Sequence, residues 1–217
     1  MSGYDLAALR AHEFAWADRG ESVYLNSAST GPLPRRTLDA VEHALSLREQ
    51  PARFPDSLIW ETLATSRRLA AGLIGAEPGE IALGTNTSYG INLAAAALPL
   101  GEGDVIVAPA GEFPANVYPW MAAAERCGAA YRQLPALANG GVDEAALCAA
   151  VADPRVRVVA LSWVAFTGGY RCDLAAIGRA CREAGTYFVV DAIQGLGVTD
   201  LDVRRCNIDI LASGAQK

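Results

Sequence analysis

The sequence predicts an α/β domain, a three-layer sandwich around a mostly parallel sheet. Three observations lead there. Short apolar runs recur at Val156 to Val164, Thr186 to Val190 and Ile208 to Ala212. Near-continuous apolar runs of that length suit strands covered on both faces. The stretches between carry helix signals, such as Asp173 ahead of one and Gly185 behind it. Strands alternating with helices imply parallel pairing through right-handed crossovers, with helices on both faces.

In chain order, Asp5 to Asp18 reads as a polar helical stretch within an N-terminal helical segment, 1–22. The main domain is expected over 23–217. It opens with the extended piece Val23 to Asn26 and a loop rich in turn-formers, Ser27 to Pro34. Arg35 to Arg48 and Ser57 to Gly72 read as helices separated by Pro51 and Pro55. In the second, Leu58, Ile59, Leu63, Leu69 and Leu73 suggest an apolar face. A short strand is expected from Ile81 to Gly84, then small polar residues, then an alanine-rich helix to Leu98. Further strands follow at Asp104 to Ala108 and Tyr131 to Leu134, and a helix from Val142 to Val151. Asp173 caps a helix whose inner side is Leu174, Ile177, Ala180, Cys181 and Ala184.

Composition narrows the function classes. The chain has 217 residues, 52% hydrophobic and 19% charged, enough to bury a large core. A formal net charge of −6 without a basic stripe argues against nucleic acid as a partner. No apolar run approaches the roughly 18–20 residues of a membrane span. The opening MSGYDLAALRAHEF lacks a basic start before an apolar block, so no signal peptide is expected. The 5 cysteines include no CxxC pair and read as reduced thiols of a cytoplasmic protein. With only His12 and His43, no metal site is expected. Gly101-Glu-Gly103 and Gly195-Leu-Gly197 each lack the third glycine of a dinucleotide fingerprint and read as turns.

Two stretches carry chemistry. The start of the alanine-rich helix offers backbone N–H groups and partial positive charge, a natural phosphate seat. Thr87 and Ser88 add hydroxyl donors there, or serve as helix caps. Later, one strand delivers Asp191 with Gln194 just beyond, and the next leads to Lys217. Ligands bind outside the carboxyl ends of parallel strands. An acid and an amine delivered there could hold the two ends of a pyridine aldehyde.

Asp209-Ile-Leu-Ala-Ser-Gly-Ala-Gln-Lys217 resembles the lysine signature of class V pyridoxal-phosphate enzymes, and Asp191-Ala-Ile-Gln194 resembles their Asp-x-x-Gln element. That family includes cysteine desulfurases, selenocysteine lyases, isopenicillin-N epimerase-like proteins and, more distantly, kynureninases. The resemblance implies the large domain of the fold type I transferases and a pyridoxal 5'-phosphate cofactor. It implies Lys217 and Asp191 as catalytic residues. Lys217 would form an imine with the cofactor aldehyde, and Asp191 would pair with the ring nitrogen. Thr87, Ser88, Phe113, Gln194 and Gln216 complete the implied cofactor site, with Gly90-Ile-Asn92 supporting the phosphate loop. The loop containing Asn26 and Ala28, Ser29 and Thr30 matches a family segment near the substrate.

Two departures bear on the reaction. Cysteine desulfurases carry a His where this chain has Phe113, in an element like Glu112-x-x-Ala-Asn116. They carry an Asn where it has Phe166. Phe can stack on a pyridinium but cannot transfer a proton. Transaminase or epimerase/lyase chemistry on an amino acid is therefore expected, nearest the isopenicillin-N epimerase-like branch. Cysteine desulfurase or C–S lyase activity is the alternative. The family pattern continues beyond Lys217 into a small domain bearing a substrate-gripping arginine, so the chain is expected to stop before it. A non-catalytic binding domain is the rival from another class. The resemblance also implies a homodimer with its active site at the subunit boundary.

Overall fold

The computed structural model describes residues 5–20 and 22–217. They divide into two units, one running to Thr65 together with Gln216–Lys217, the other Ser66–Ala215.

In the first unit, α1 (Leu6–Glu13) is capped by Asp5, whose side chain accepts from Ala8 N at 3.0 Å. The helical stretch expected to reach Asp18 breaks at Phe14, where φ is −133°, and resumes as a 3-10 turn, Ala15–Asp18. α2 (Arg35–Arg48) keeps its expected bounds. Buried Glu13 joins the two helices, accepting from Arg36 N at 3.0 Å and Arg36 Nε at 2.7 Å. The Arg36 side chain is the main reason the Glu13 carboxyl is pulled down to about 2.

α3 (Asp56–Ile74) runs from the first unit into the second. Its buried residues are Ala71 and Ile74, whereas Ile59, Leu69 and Leu73 are exposed. Leu58 and Leu63 of the expected face are half-buried, so the expected apolar face is packed only in part. Apolar residues surround this helix, and packing selects the side where small Ala71 allows close approach.

The second unit is a five-stranded sheet in the order β2-β1-β3-β4-β5, every pair parallel. The strands are β1 (Val105–Pro109), β2 (Ala130–Leu134), β3 (Val156–Ser162), β4 (Tyr187–Asp191) and β5 (Ile210–Ala212). Alternate side chains enter opposite faces. Val159, Leu161, Phe188 and Val190 join one core with α6 (Glu144–Ala150) and α7 (Leu174–Ala184). Val158, Ala160 and Val189 join the other with α4 (Thr87–Ala97) and α5 (Tyr118–Cys127). Two cores on one sheet make the expected three layers.

Asp173 caps α7 by accepting from Ala175 N and Ala176 N, and Gly185 ends it at φ 68°. Ala184, expected on the inner side, is the last residue of the helix and is exposed. Ile81 to Gly84 forms no strand: it is extended but joins no ladder among the described residues. Sequence reasoning passed over α5, although Gly128 at φ 72° ends it in the left-handed conformation a helix stop favours. Among the described residues no helix is long and apolar enough to cross a membrane.

Candidate active site

The carboxyl ends of three strands align. Ser162 on β3 is opposite Asp191 on β4, and Asp191 is opposite Ala212 on β5. Strands beside one another lie about 4.8 Å apart, so these residues form a continuous rim. Asp191 is only 3% exposed, and its Oδ1 accepts from Ile193 N at 3.0 Å. The chain then turns, Gly195 N donating to Ala192 O at 3.0 Å, and Gln194 is half-buried in that turn. Gly195 rests against the Trp163 ring so closely that a Cβ would overlap it. The Asp-x-x-Gln element thus puts its acid at the rim.

α4 begins beside this rim. Asn86 is the cap, accepting from Tyr89 N at 2.8 Å, so the capping role weighed for Thr87 and Ser88 falls to neither. The Thr87 hydroxyl is buried and has no hydrogen-bond partner among the described residues. An unsatisfied buried hydroxyl costs about 1–3 kcal/mol, and an anion held at the helix start would satisfy this one. One turn on, Gly90 presses on β5: a Cβ there would lie 2.9 Å from Ala212 Cβ. α4 also packs against β4. The helix start, with its partial positive charge, thus belongs to a helix packed on the strand that carries buried Asp191. This donor set fits a pyridine phosphate, with an anion seat at one side and a carboxylate at the other.

The loop after β1 supplies residues that sequence reasoning did not assign. Glu112 accepts from Ser162 N at 2.7 Å, from Ser162 Oγ at 2.6 Å and from Asn116 Nδ2 at 2.9 Å. Asn116 in turn accepts from buried Trp120 Nε1 at 2.9 Å. Burial pushes the Glu112 carboxyl above its ordinary value and the Asp191 charge adds to it, while the Ser162 and Asn116 donors pull the other way. The signal available in sequence was the Glu112/Asn116 spacing of one helical turn. Phe113, beside this anchor, meets Phe166 edge to face, with centroids 5.0 Å apart and planes at 62°. Cys172 lies behind the rim with Sγ 3.7 Å from Ser162 O, and burial pushes its thiol up to about 12, so it is inert there. No cluster of three metal-ligating side chains occurs among the described residues.

The remaining expected residues belong to the first unit. Gln216 O accepts from Gly31 N at 2.7 Å. A Cβ on Gly31 would meet the Lys217 carbonyl carbon at 3.2 Å, so this loop passes close against the Lys217 backbone. Ala28, Ser29 and Thr30 precede that contact in an exposed turn, where Tyr24 Oη donates to Asn26 O at 2.9 Å and Thr30 O at 2.8 Å. The candidate substrate loop and the candidate catalytic lysine are therefore neighbours within one unit.

The family model described as Aminotransferase class-V matches residues 23–217. A probable cysteine desulfurase of Methanothermobacter thermautotrophicus is 33% identical over 201 residues, 91% of this chain and 50% of that protein. An isopenicillin N epimerase of Amycolatopsis lactamdurans is 31% identical over 215 residues, 94% of this chain and 54% of that protein. The crystal structure of the Escherichia coli cysteine desulfurase CsdA superposes with a TM-score of 0.84 at 30% identity, covering 98% of this chain and 54% of that one. A C-DES mutant with glycine covalently linked to its PLP cofactor gives 0.85 at 26% identity, with 95% and 55% covered. The chain spans about half the length of the relatives it matches.

Proposed function

Because this chain belongs to the class V aminotransferase family, we propose that the intact protein binds pyridoxal 5'-phosphate and acts on an amino acid through Lys217. When bound, that group supplies an aldehyde for capturing amines and a ring that takes up electron density. The observation that carries the reading is that buried Asp191 ends a strand on which α4 packs, and that α4 starts with a Thr87 hydroxyl unpartnered among the described residues.

Each residue has a task. Thr87, Ser88 and the first N–H groups of α4 hold the phosphate. Asp191, ionised, keeps a proton on the pyridine nitrogen. Phe113 would stack on the ring, and Gln194 and Gln216 would donate hydrogen bonds to the cofactor. The Lys217 amine would bond the cofactor aldehyde and would serve as the base that moves the proton at the substrate Cα. Ala28, Ser29 and Thr30 line the substrate's approach.

Phe113 and Phe166 carry no proton for a departing sulfur, which supports transamination or epimerase/lyase chemistry at Cα. The likeness to a probable cysteine desulfurase and to CsdA favours a second reading, release of sulfur from cysteine. A homodimer is part of the proposal, to be checked by native mass. So is cytoplasmic residence, in keeping with five free cysteines.

Titrating the intact protein with pyridoxal phosphate should give a visible chromophore that borohydride reduces and that Lys217→Ala lacks. A Lys217→Ala protein that keeps it contradicts the assignment. Incubation with a panel of amino acids then separates keto-acid, epimer and sulfide products.

A further inference from the structure

We propose that Phe166 is a specificity-determining residue, braced by Phe113, that selects amino acids with an apolar side chain. The inference rests on the reading of this rim as a pyridoxal-phosphate site. Phe166 is 55% exposed and Phe113 43% exposed, yet each touches the other. They come from different loops, after β3 and after β1, so the contact is tertiary. Single exposed apolar residues are ordinary on a surface. A paired aromatic surface beside a buried carboxylate is the usual lining of a small-molecule pocket.

The pair is held in place. Glu112, the neighbour of Phe113, takes two hydrogen bonds from Ser162 at the end of β3, where the Phe166 loop begins. Ser162, to which the wall is anchored through Glu112, is the strand partner of Asp191. Neither ring can donate or accept a proton or form an ion pair. An anionic or strongly hydrated substrate side chain placed against them loses water without a hydrogen-bonding partner in return. An aliphatic, thioether or aromatic side chain gains contact.

The test uses the intact holoprotein and the variants Phe166→Asn and Phe166→Leu. Dissociation constants are measured for α-methylleucine and α-methylserine, which lack the Cα hydrogen, and kcat/KM for leucine, methionine, serine and cysteine. Wild type should prefer leucine and methionine. Phe166→Asn should lower the leucine-to-serine preference at least about tenfold, the scale of a hydrophobic pocket contact. It should do so in binding and in kcat/KM, with pyridoxal-phosphate affinity kept within about threefold, while Phe166→Leu keeps most of the preference. If the cofactor binds but the preference is absent, or survives Phe166→Asn, this proposal alone is overturned. If wild type fails to bind pyridoxal phosphate, the site reading falls and takes the proposal with it.

Discussion

Gly90 offers the sharpest test of how α4 is seated. An alanine Cβ there would lie 2.9 Å from Ala212 Cβ. Carbon atoms sit comfortably at about 3.5–4.0 Å, so helix and strand must separate by roughly 0.6–1 Å. Alanine normally gains about 0.8–1.0 kcal/mol over glycine inside a helix. Overpacking costs typically about 1–3 kcal/mol, so Gly90→Ala should lose about 1 kcal/mol net. Gly72 in α3 is the control, because a Cβ there meets nothing within 4 Å. Gly72→Ala should therefore gain up to about 1 kcal/mol. Urea unfolding of the intact protein should separate the variants by about 2 kcal/mol, in opposite directions from wild type. Because the shift also lifts Thr87 and Ser88, Gly90→Ala should bind pyridoxal phosphate roughly tenfold or more weakly, as when one hydrogen bond to a charged group is lost. A Gly90→Ala protein as stable as Gly72→Ala would show that α4 does not press on Ala212. Unchanged cofactor affinity would show that the phosphate is not held at this helix start.

Asp191→Asn should cut amino-acid turnover by at least about 100-fold while far-UV circular dichroism is kept; a variant with wild-type turnover removes this acid from the mechanism. Glu112 titrates above its ordinary 4.5 in the folded state. Between those two values the folded protein binds more protons than the unfolded one, so its stability falls as pH rises. Glu112→Gln should flatten that slope in unfolding experiments on the alkaline side of 4.5, and an unchanged slope refutes the assignment. Asp153 has the opposite sign: hydrogen bonds from Arg155 hold it at about 2 against an ordinary 3.8. Its contribution is full above 3.8 and disappears as pH falls toward 2, so Asp153→Asn should show a shallower acid limb. Cys172 and Cys181, pushed by burial to about 12, should resist alkylation at pH 8 until the protein unfolds, as read by mass spectrometry of labelled peptides.

The strands were legible because a sheet covered on both faces forces nearly every residue to be apolar, which β1, β3 and β4 obey. The Asp-x-x-Gln element and the lysine signature were legible too, since their chemistry depends on residue identity and spacing. Other features needed the third dimension. The packed side of α3 was hidden because apolar residues ring that helix, and only the neighbour chooses among them. Ile81 to Gly84 has a strand's composition but no ladder among the described residues, and a strand is defined by its partner. Glu112 bonding to Ser162, Phe113 meeting Phe166 and Gly90 pressing on Ala212 join positions far apart in sequence. Local pattern cannot specify such meetings, because the topology of the sheet decides which strand ends share the rim.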